Sequence, residues 1–243
     1  MINTFLITGA TQGLGRSIAL HLAGLKYHVY AVGRTSELLE SLSKENPFIH
    51  PICADITNSN DREKILLAVS KEKNFSIIHN AAITAPKLFV DDENNEFLRK
   101  QFETNFFAPL HLTKKLLPFL ENGQRVLHIS SGAANLELPG LMGYCVSKSA
   151  LEHAVRCLNK ELAGKIYFAS LHPGMIDTPM QNQLRRSSIA DLPGKDFYVK
   201  SFEEKKLQPP EEVAEFVGWV MLETDDETYV SKIWDVDDII GQL

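Results

Sequence analysis

The chain has 243 residues, of which 44% are hydrophobic and 23% are charged, and its formal net charge is −6. This length and composition suit one α/β domain with a sizeable core, so we take residues 1–243 as a single domain. The acidic balance excludes a general attraction to nucleic acid or to anionic membranes.

The cysteines and the hydropathy pattern indicate in which cellular compartment the protein lies and whether it binds a metal. The three cysteines form no CxxC pair and their number is odd, which argues against a disulfide framework and a zinc site. No apolar run reaches the ~18 residues of a bilayer-spanning helix, and the N-terminus lacks a signal-peptide pattern. The acidic cluster at 91–93 is typical of a solvated helix start. We therefore expect a soluble, cytoplasmic protein without a metal site.

A glycine-rich turn links the first predicted strand to the first predicted helix. Residues 5–7 form a short apolar run typical of a buried strand, and Ile18 and Leu22 belong to a helical repeat that follows. Glycine permits a tight bend close to a ligand, and a helix N-terminus attracts a pyrophosphate. The turn therefore predicts a dinucleotide site that includes Gly9, Thr11, Gln12, Gly13, Leu14 and Gly15.

With Thr8 in front, the Gly-x-x-x-Gly-x-Gly spacing of this turn resembles the short-chain dehydrogenase/reductase family. The resemblance implies a nicotinamide cofactor and a Rossmann-type, doubly wound parallel sheet. The alternation of predicted strands and helices along the chain also favours this α/β fold.

The second predicted strand, residues 29–32, ends at Gly33 and Arg34. In NAD-binding folds of this type an acidic side chain at the end of this strand accepts hydrogen bonds from the adenosine ribose. The family register places that position at Gly33, so no carboxylate repels a 2′-phosphate and Arg34 is placed to pair with it. We therefore expect NADPH rather than NADH. The alternative is that Arg34 is an ordinary exposed arginine.

The third and fourth predicted strands, residues 49–53 and 75–78, each lead into a candidate binding segment. The resemblance implies that Asp55 and Ile56 contact the adenine, while the alternative is that Asp55 caps the next turn or helix. The second segment resembles the family's Asn-Asn-Ala-Gly motif, departs from it at His79 and at its last residue, and comprises Asn80, Ala81 and Ala82.

Residues 96–119 have a helical pattern that contains Asn105. Pro109 lies four residues later, and its ring removes a helical hydrogen bond and clashes with the Asn105 carbonyl. We expect a kink that frees a carbonyl to hold water. Asn105 is also where the family places an active-site asparagine.

The fifth predicted strand, residues 125–130, leads to Ser131, and a helix opens near Tyr144 and Lys148. Tyr144 and Lys148 are four residues apart and project from one helix face. Ser131 lies thirteen residues before Tyr144, and Asn105 lies twenty-six before Ser131. Together the four resemble the family's catalytic Asn-Ser-Tyr-Lys set.

After a sixth predicted strand at 165–171, a Pro-Gly turn begins a segment that the resemblance places against the nicotinamide, through Pro173, Gly174, Ile176 and Thr178. Residues 178–208 have poor periodicity, and we interpret them as an irregular substrate lid. A helix from 209 to 222 and a last strand at 232–234 complete the predicted elements.

Residues 130–134 and 172–181 resemble the branch of the family that contains sepiapterin reductase and the bacterial benzil reductases. This implies a small dicarbonyl or α-hydroxyketone substrate. In sepiapterin reductase an aspartate near the C-terminus anchors the pterin, and Asp235 falls at the matching place. The alternative is that Asp235 is another solvated acid.

The resemblance implies carbonyl reduction by hydride transfer from NADPH, with Tyr144 as the general acid. A lysine charge ~4 Å away would lower the Tyr144 pKa by about three units, toward neutral pH. Lys148 would also bind the nicotinamide ribose, Ser131 the substrate oxygen, and Asn105 a water that returns the proton.

Two further expectations concern partners and function. The resemblance implies a homodimer or homotetramer that acts on a small carbonyl compound. The alternative function is a non-catalytic NADP(H)-binding sensor or scaffold on the same fold, because fold alone does not fix function.

Overall fold

A computed structural model describes residues 4–238 of the chain. Within this range seven strands form one sheet in the order β3-β2-β1-β4-β5-β6-β7, and every neighbouring pair is parallel. The predicted α/β class and doubly wound parallel sheet are therefore confirmed. The strands are β1 (Thr4–Thr8), β2 (His28–Gly33), β3 (Ile49–Cys53), β4 (Phe75–His79), β5 (Gln124–Ile129), β6 (Ile166–His172) and β7 (Trp234–Asp235).

Helices connect most of the strands, because parallel strands need long crossover connections. The described part of the chain contains ten α-helices, which are α1 (Gly13–Gly24), α2 (Ser36–Glu45), α3 (Ser59–Val69), α4 (Glu96–Phe102), α5 (Ala108–Leu116), α6 (Met142–Glu161), α7 (Pro179–Arg186), α8 (Lys195–Glu203), α9 (Pro210–Leu222) and α10 (Asp226–Ser231). None of these helices is both long enough and apolar enough to cross a membrane.

The core lies on both faces of the sheet, because successive side chains of a strand point to opposite faces. On β1, Phe5 and Ile7 pack with α1, α2 and α9, whereas Leu6 packs with α3, α5 and α6. The residues that these elements contribute to the two core clusters are fully or almost fully buried. Both faces are covered, which explains the nearly continuous apolar runs of the strands.

The strand order reverses at β1, which has β2 on one side and β4 on the other. In sheets of this kind ligands bind at this point, outside the carboxyl ends of the strands. The glycine-rich turn leaves β1 at that edge and enters α1. The fold therefore positions the predicted cofactor residues around one crevice.

The long helical segment predicted at 96–119 is interrupted at the predicted place. A π-helical turn (Glu103–Phe107) joins α4 to α5, and the Ala108 N–H donates to the Glu103 carbonyl five residues back. Asn105 lies inside this turn, where its side chain is buried. The kink that Pro109 predicted therefore takes the form of an inserted residue in the helix.

The segment 178–208 is less irregular than its sequence predicts, because it contains α7 and α8. Thr178 caps α7 by accepting from the Gln181 N–H, and Pro179 occupies its first position. These two features favour a helix start even though the helix itself is polar. The expectation of an irregular segment is corrected to two short helices joined by turns.

Candidate active site

The glycine-rich turn packs directly against the segment that follows β4. Gly9 has φ +68°, and a Cβ added there would lie 2.8 Å from the Ala81 Cα. A Cβ at Gly15 would lie 2.3 Å from the Asn80 side-chain nitrogen. A side chain at either position would therefore separate the ends of β1 and β4.

Asn80 fastens these two strand ends together. Its side-chain Nδ2 donates to the carbonyl oxygens of Thr8 and Gly9, each at 3.1 Å. In return, the Thr8 hydroxyl accepts from the backbone N–H groups of Asn80 and Ala81, each at 3.1 Å. The Ala82 departure from the family motif causes no strain, because this residue is not among those with positive φ. Asn80 therefore positions the turn.

A cavity of about 960 Å³ opens at this edge of the sheet. Gln12, which precedes α1, makes no side-chain capping hydrogen bond, so the first N–H groups of that helix are not capped by it. Such a helix N-terminus suits a pyrophosphate. The predicted residues that line the cavity are Gly9, Thr11, Gln12, Gly13, Leu14, Arg34, Asp55, Ile56, Asn80, Ala81, Ala82, Tyr144, Lys148, Pro173, Ile176 and Thr178.

Five predicted residues do not line this cavity: Gly15, Asn105, Ser131, Gly174 and Asp235. The first two lie directly behind its wall, and Ser131 reaches Tyr144 from outside the lining. Sequence reasoning missed several lining residues, such as Val32, Ala54, Thr57, Ile83, Ile129, Ser130 and Met180. Ala54, Thr57, Ile83 and Ser130 adjoin a predicted residue, so a wider window around each motif would have included them. A further group of lining residues lies between 95 and 107, mostly on α4 and the π-helical turn, and no predicted lining residue lies among them.

The end of β2 forms one end of the cavity. A Cβ at Gly33 would lie 2.3 Å from the Thr11 methyl group, so the Thr11 side chain occupies the space that an acidic residue would need. Arg34 is exposed and lines the cavity next to it. Its guanidinium has no ion-pair partner among residues 4–238. The arrangement leaves an exposed arginine without an ion-pair partner, among the described residues, next to the position where an acid commonly stands.

Asp55 makes local hydrogen bonds at the end of β3. Its Oδ1 accepts from the Thr57 N–H at 2.9 Å and from the Thr57 hydroxyl at 2.7 Å. The Asp55 N–H donates to Asp61 Oδ2 at 2.8 Å. The capping alternative therefore describes its hydrogen bonds, although Asp55 also lines the cavity.

Asn105 ties three elements together. Its Oδ1 accepts from the Ile83 N–H at 2.8 Å, and its Nδ2 donates to the Ile83 carbonyl at 2.9 Å and to the Ser147 hydroxyl at 3.1 Å. These bonds join the segment after β4, the π-helical turn and α6. The Asn105 side chain therefore makes all its hydrogen bonds within the protein. Only the backbone carbonyl of Asn105 is a candidate for holding a water.

Ser131, Tyr144 and Lys148 come together where β5 ends and α6 begins. Tyr144 and Ser131 form a side-chain hydrogen bond. The Lys148 Nζ lies 5.8 Å from the centre of the Tyr144 ring and donates to the Ile129 carbonyl at 2.6 Å. Of the four residues predicted from the family pattern, Tyr144 and Lys148 therefore line one wall of the cavity, while Ser131 and Asn105 lie behind it.

The Tyr144 pKa differs from the sequence-based expectation. Burial raises it from 10.0 to about 12, although the hydrogen bond with Ser131 acts in the opposite direction. The expectation that the Tyr144 pKa is lowered toward neutral pH is therefore wrong for the protein without a bound cofactor. It assumed a lysine charge ~4 Å from the phenol, whereas the Lys148 ammonium is directed at Ile129.

Lys148 is almost completely buried, and this affects its charge. Burial lowers its pKa from 10.5 to about 8, and the nearby Glu152 carboxylate acts in the opposite direction. Lys148 therefore keeps its proton at neutral pH and loses it in mildly alkaline solution.

The segment after β6 closes the cavity from the other side. Gly174 has φ +67°, which suits the turn. Ile176 pairs with Gln208 in an isolated parallel bridge, so the two ends of the 178–208 segment meet. Thr178 lies against the glycine-rich turn, since a Cβ at Gly13 would be 3.2 Å from its methyl group.

Asp235 lies on β7, where its Oδ2 is 3.3 Å from the His172 Nδ1 and its Oδ1 accepts from the Asp237 N–H. The structure therefore joins Asp235 to His172 and does not bring it to the cavity wall. No group of three or more His, Cys, Asp or Glu side chains in residues 4–238 is placed to hold a metal ion.

Comparisons with known proteins agree with this geometry. A family model described as short chain dehydrogenase matches residues 3–188. A benzil reductase that forms (S)-benzoin, from Bacillus cereus, is 30% identical over 91% of this chain and 94% of its own length. The D-erythrulose reductase of Gallus gallus is 31% identical over 72% of each chain. A short-chain dehydrogenase/reductase from Saccharomyces cerevisiae has a solved structure that superimposes with a TM-score of 0.90, at 23% identity, over 99% of this chain and 98% of that one.

The chain belongs to the short-chain dehydrogenase family. It is thus an oxidoreductase of the kind that acts on CH–OH and C=O groups with a nicotinamide cofactor.

Proposed function

We propose that this short-chain dehydrogenase is an NADPH-dependent carbonyl reductase whose substrate is a small dicarbonyl compound or α-hydroxyketone. One observation carries the proposal: a phenol and a buried ammonium line the wall of a cavity that the glycine-rich turn also lines, and a serine hydroxyl contacts the phenol from behind that wall. These are the groups needed to orient a carbonyl, give it a proton and hold a nicotinamide ribose beside it.

The crevice suits a dinucleotide. The glycine-rich turn and the N-terminus of α1 would hold the pyrophosphate, and Asp55 and Ile56 would lie at the adenine. Arg34 would pair with a 2′-phosphate, while Lys148, Pro173, Ile176 and Thr178 would surround the nicotinamide riboside. Bound NADPH would supply the hydride.

Tyr144 serves as the general acid in this proposal. A phenol with a raised pKa is protonated at neutral pH, so it is ready to give its proton to the substrate oxygen. The Ser131 hydroxyl stabilises the developing negative charge on that oxygen. The Lys148 ammonium lies 5.8 Å from the centre of the Tyr144 ring, and it would stabilise the tyrosinate that remains by turning toward it from the Ile129 carbonyl. The Asn105 carbonyl holds a water that returns a proton to the site.

Two relatives whose names give different substrates support the proposed substrate class. One acts on benzil, which has two adjacent carbonyls, and the other on erythrulose, in which a carbonyl adjoins hydroxyl-bearing carbons. A second oxygen next to the reacting carbonyl is the feature common to both substrates. We therefore propose that this chain recognises such a pair of oxygens.

Residues 178–208 form the substrate lid in this proposal. Lys87 Nζ pairs with Asp191 Oδ1 at 2.8 Å, and Gln183 Nε2 donates to the Thr84 carbonyl at 3.0 Å. Beneath the lid, Leu184, Leu192 and Tyr198 pack in an apolar cluster with Leu141 and Cys145. The lid is thus anchored by an apolar cluster that includes Cys145, the residue after Tyr144.

The assembly is proposed to be a homodimer or homotetramer. Phe107, at the end of the π-helical turn, is 42% exposed, and Val146 on α6 is 48% exposed. A second copy of the chain that covers these exposed apolar side chains would favour association.

A spectrophotometric panel tests the function. The full chain is assayed for consumption of NADPH and of NADH with benzil, isatin, erythrulose and sepiapterin, and with a simple monoketone as control. We expect turnover with NADPH and the compounds that carry neighbouring oxygens, and recovery of the corresponding alcohol. If the chain binds NADPH but reduces none of them, the alternative of a non-catalytic sensor or scaffold replaces this proposal.

A further inference from the structure

A buried carboxylate lies one helical turn beyond Lys148. Glu152 is 4% exposed, and its Oε1 accepts a hydrogen bond of 2.6 Å from the Ser130 hydroxyl. The same oxygen lies 2.7 Å from the His172 Nε2. A buried carboxylate is costly unless it has such partners, and Ser130 itself lines the cavity.

His172 continues the connection toward the surface. Its second ring nitrogen, Nδ1, lies 3.3 Å from the Asp235 Oδ2. The His172 side chain is 9% exposed, whereas that of Asp235 is 36% exposed. An unbroken series of hydrogen-bonding groups therefore runs from the cavity wall, through Ser130, Glu152 and His172, to a carboxylate in contact with solvent.

The charges around His172 favour its protonated form. Burial lowers its pKa, but the hydrogen bonds and charges of Glu152 and Asp235 outweigh burial and raise the pKa above 6.5. The titratable groups that face this network are Glu152 and Lys148 from α6 and Asp235 from β7. An imidazole between two carboxylates can accept a proton at one nitrogen and release one at the other.

We propose that Ser130, Glu152, His172 and Asp235 form a proton path between solvent and the active-site wall beside Lys148. This inference rests on the proposed function, because carbonyl reduction consumes one proton in each turnover. Asp235 takes a proton from water and passes it to His172 Nδ1. His172 Nε2 then protonates Glu152, and the Ser130 hydroxyl rotates from Glu152 toward the cavity. Glu152 protonates the Ser130 oxygen as the original hydroxyl proton moves into the cavity, where it replaces the proton that Tyr144 gave to the substrate. Each group gains one proton and gives one up.

Chemical rescue of a His172→Ala variant tests the path. Removing the imidazole leaves a gap next to a partly exposed carboxylate, which free imidazole can enter. We expect kcat for carbonyl reduction to fall at least ~10-fold and to recover as imidazole is added, in proportion to the concentration of its protonated form. The KM for NADPH should remain that of the unsubstituted protein.

The matched control is His153→Ala, since His153 is an exposed histidine next to Glu152 on the same helix. It should keep the original kcat and show no response to imidazole. An unchanged kcat in His172→Ala overturns the path. So does a loss that imidazole does not restore, because it would show that His172 only supports the structure.

A second measurement does not need turnover, so it separates failure of the path from failure of the proposed reaction. The His172 imidazole is titrated by NMR with and without NADP+, in the full chain and in Asp235→Asn. We expect Asp235→Asn to lower the pKa of His172 and NADP+ to shift it, because the path reaches the cavity wall. A His172 titration that responds to neither change overturns the inference even if the chain proves inactive.

Discussion

The protonation of Tyr144 and Lys148 is set chiefly by burial. Burial disfavours the charged form of each group, so the tyrosine pKa rises and the lysine pKa falls. At neutral pH the pair is therefore a neutral phenol beside an ammonium. This is the state that can protonate a carbonyl oxygen and then stabilise the tyrosinate.

The rate of carbonyl reduction should consequently fall as pH rises through about 8, the pKa of Lys148. Below that pH Lys148 is charged and Tyr144 is protonated, so neither of these two groups should lower the rate there. The measurement is kcat against pH at saturating NADPH. A Lys148→Arg variant keeps its charge at all these pH values, so any activity that it retains should not fall there. A wild-type profile that stays level up to the ordinary lysine pKa of 10.5 would contradict this prediction.

Arg34 should determine the choice between NADPH and NADH. A charge-assisted hydrogen bond contributes about 1.5–3 kcal/mol, so Arg34→Ala should raise the KM for NADPH by roughly 10- to 100-fold. The KM for NADH should not change, because NADH has no 2′-phosphate. Arg156→Ala, which removes an exposed arginine from α6, is the control. Equal effects on both cofactors would show that Arg34 does not contact the phosphate.

At the scale of single elements, the turns position the site. The Asn80 hydrogen bonds keep the glycine-rich turn against the end of β4, and the Asn105 hydrogen bonds keep the π-helical turn against α6. The side chains of both asparagines form hydrogen bonds to other parts of the protein. Their substitution should therefore affect the geometry of the site as well as its chemistry.

The proposed lid, residues 178–208, packs closely against Gly140. This residue has φ +81°, and a Cβ there would lie 2.2 Å from the Asp191 carbonyl oxygen of the lid. Gly140→Ala should therefore displace the lid and raise the KM for the carbonyl substrate, with the KM for NADPH unchanged. Steady-state kinetics with each substrate varied in turn measures both values.

Gly123→Ala is the matched control, because Gly123 has φ +89° and no atom within 4 Å of an added Cβ. Both variants should lose about 1–2 kcal/mol of unfolding free energy from the left-handed backbone. Only Gly140→Ala should change the substrate KM. An equal change in both would mean that backbone strain, and not contact with the lid, is responsible.

The elements differ in how well their sequences predict them. Strands β1 to β6 were predicted to within a residue or two, because each contains β-branched or other apolar residues between turn signals. Helix α7 was not predicted, because Leu184 is its single buried residue and its apolar periodicity is therefore weak. Its start signals, Thr178 at the cap and Pro179 after it, were present and could have revealed it.

At the scale of the whole molecule, the parallel sheet brings distant parts of the sequence together. The carboxyl ends of β1, β4, β5 and β6 share one edge, so residues between 9 and 180 line one cavity. The motif spacing predicted this meeting. The pKa values and the Glu152–His172 contact depend on how α6 packs against β6, which no local pattern specifies. The only local sign of a role for Glu152 in the sequence was its position as a charged residue on the apolar side of α6.

The most direct measurement is the single-turnover rate of carbonyl reduction at saturating NADPH in the Tyr144→Phe variant, together with its dissociation constant for NADPH. Loss of the general acid should reduce the rate by roughly 10²- to 10⁴-fold and leave cofactor binding unchanged. Tyr167→Phe, which alters a partly buried tyrosine on β6, should match the unsubstituted chain. A Tyr144→Phe variant that reduces the carbonyl at a near-normal rate would contradict the account.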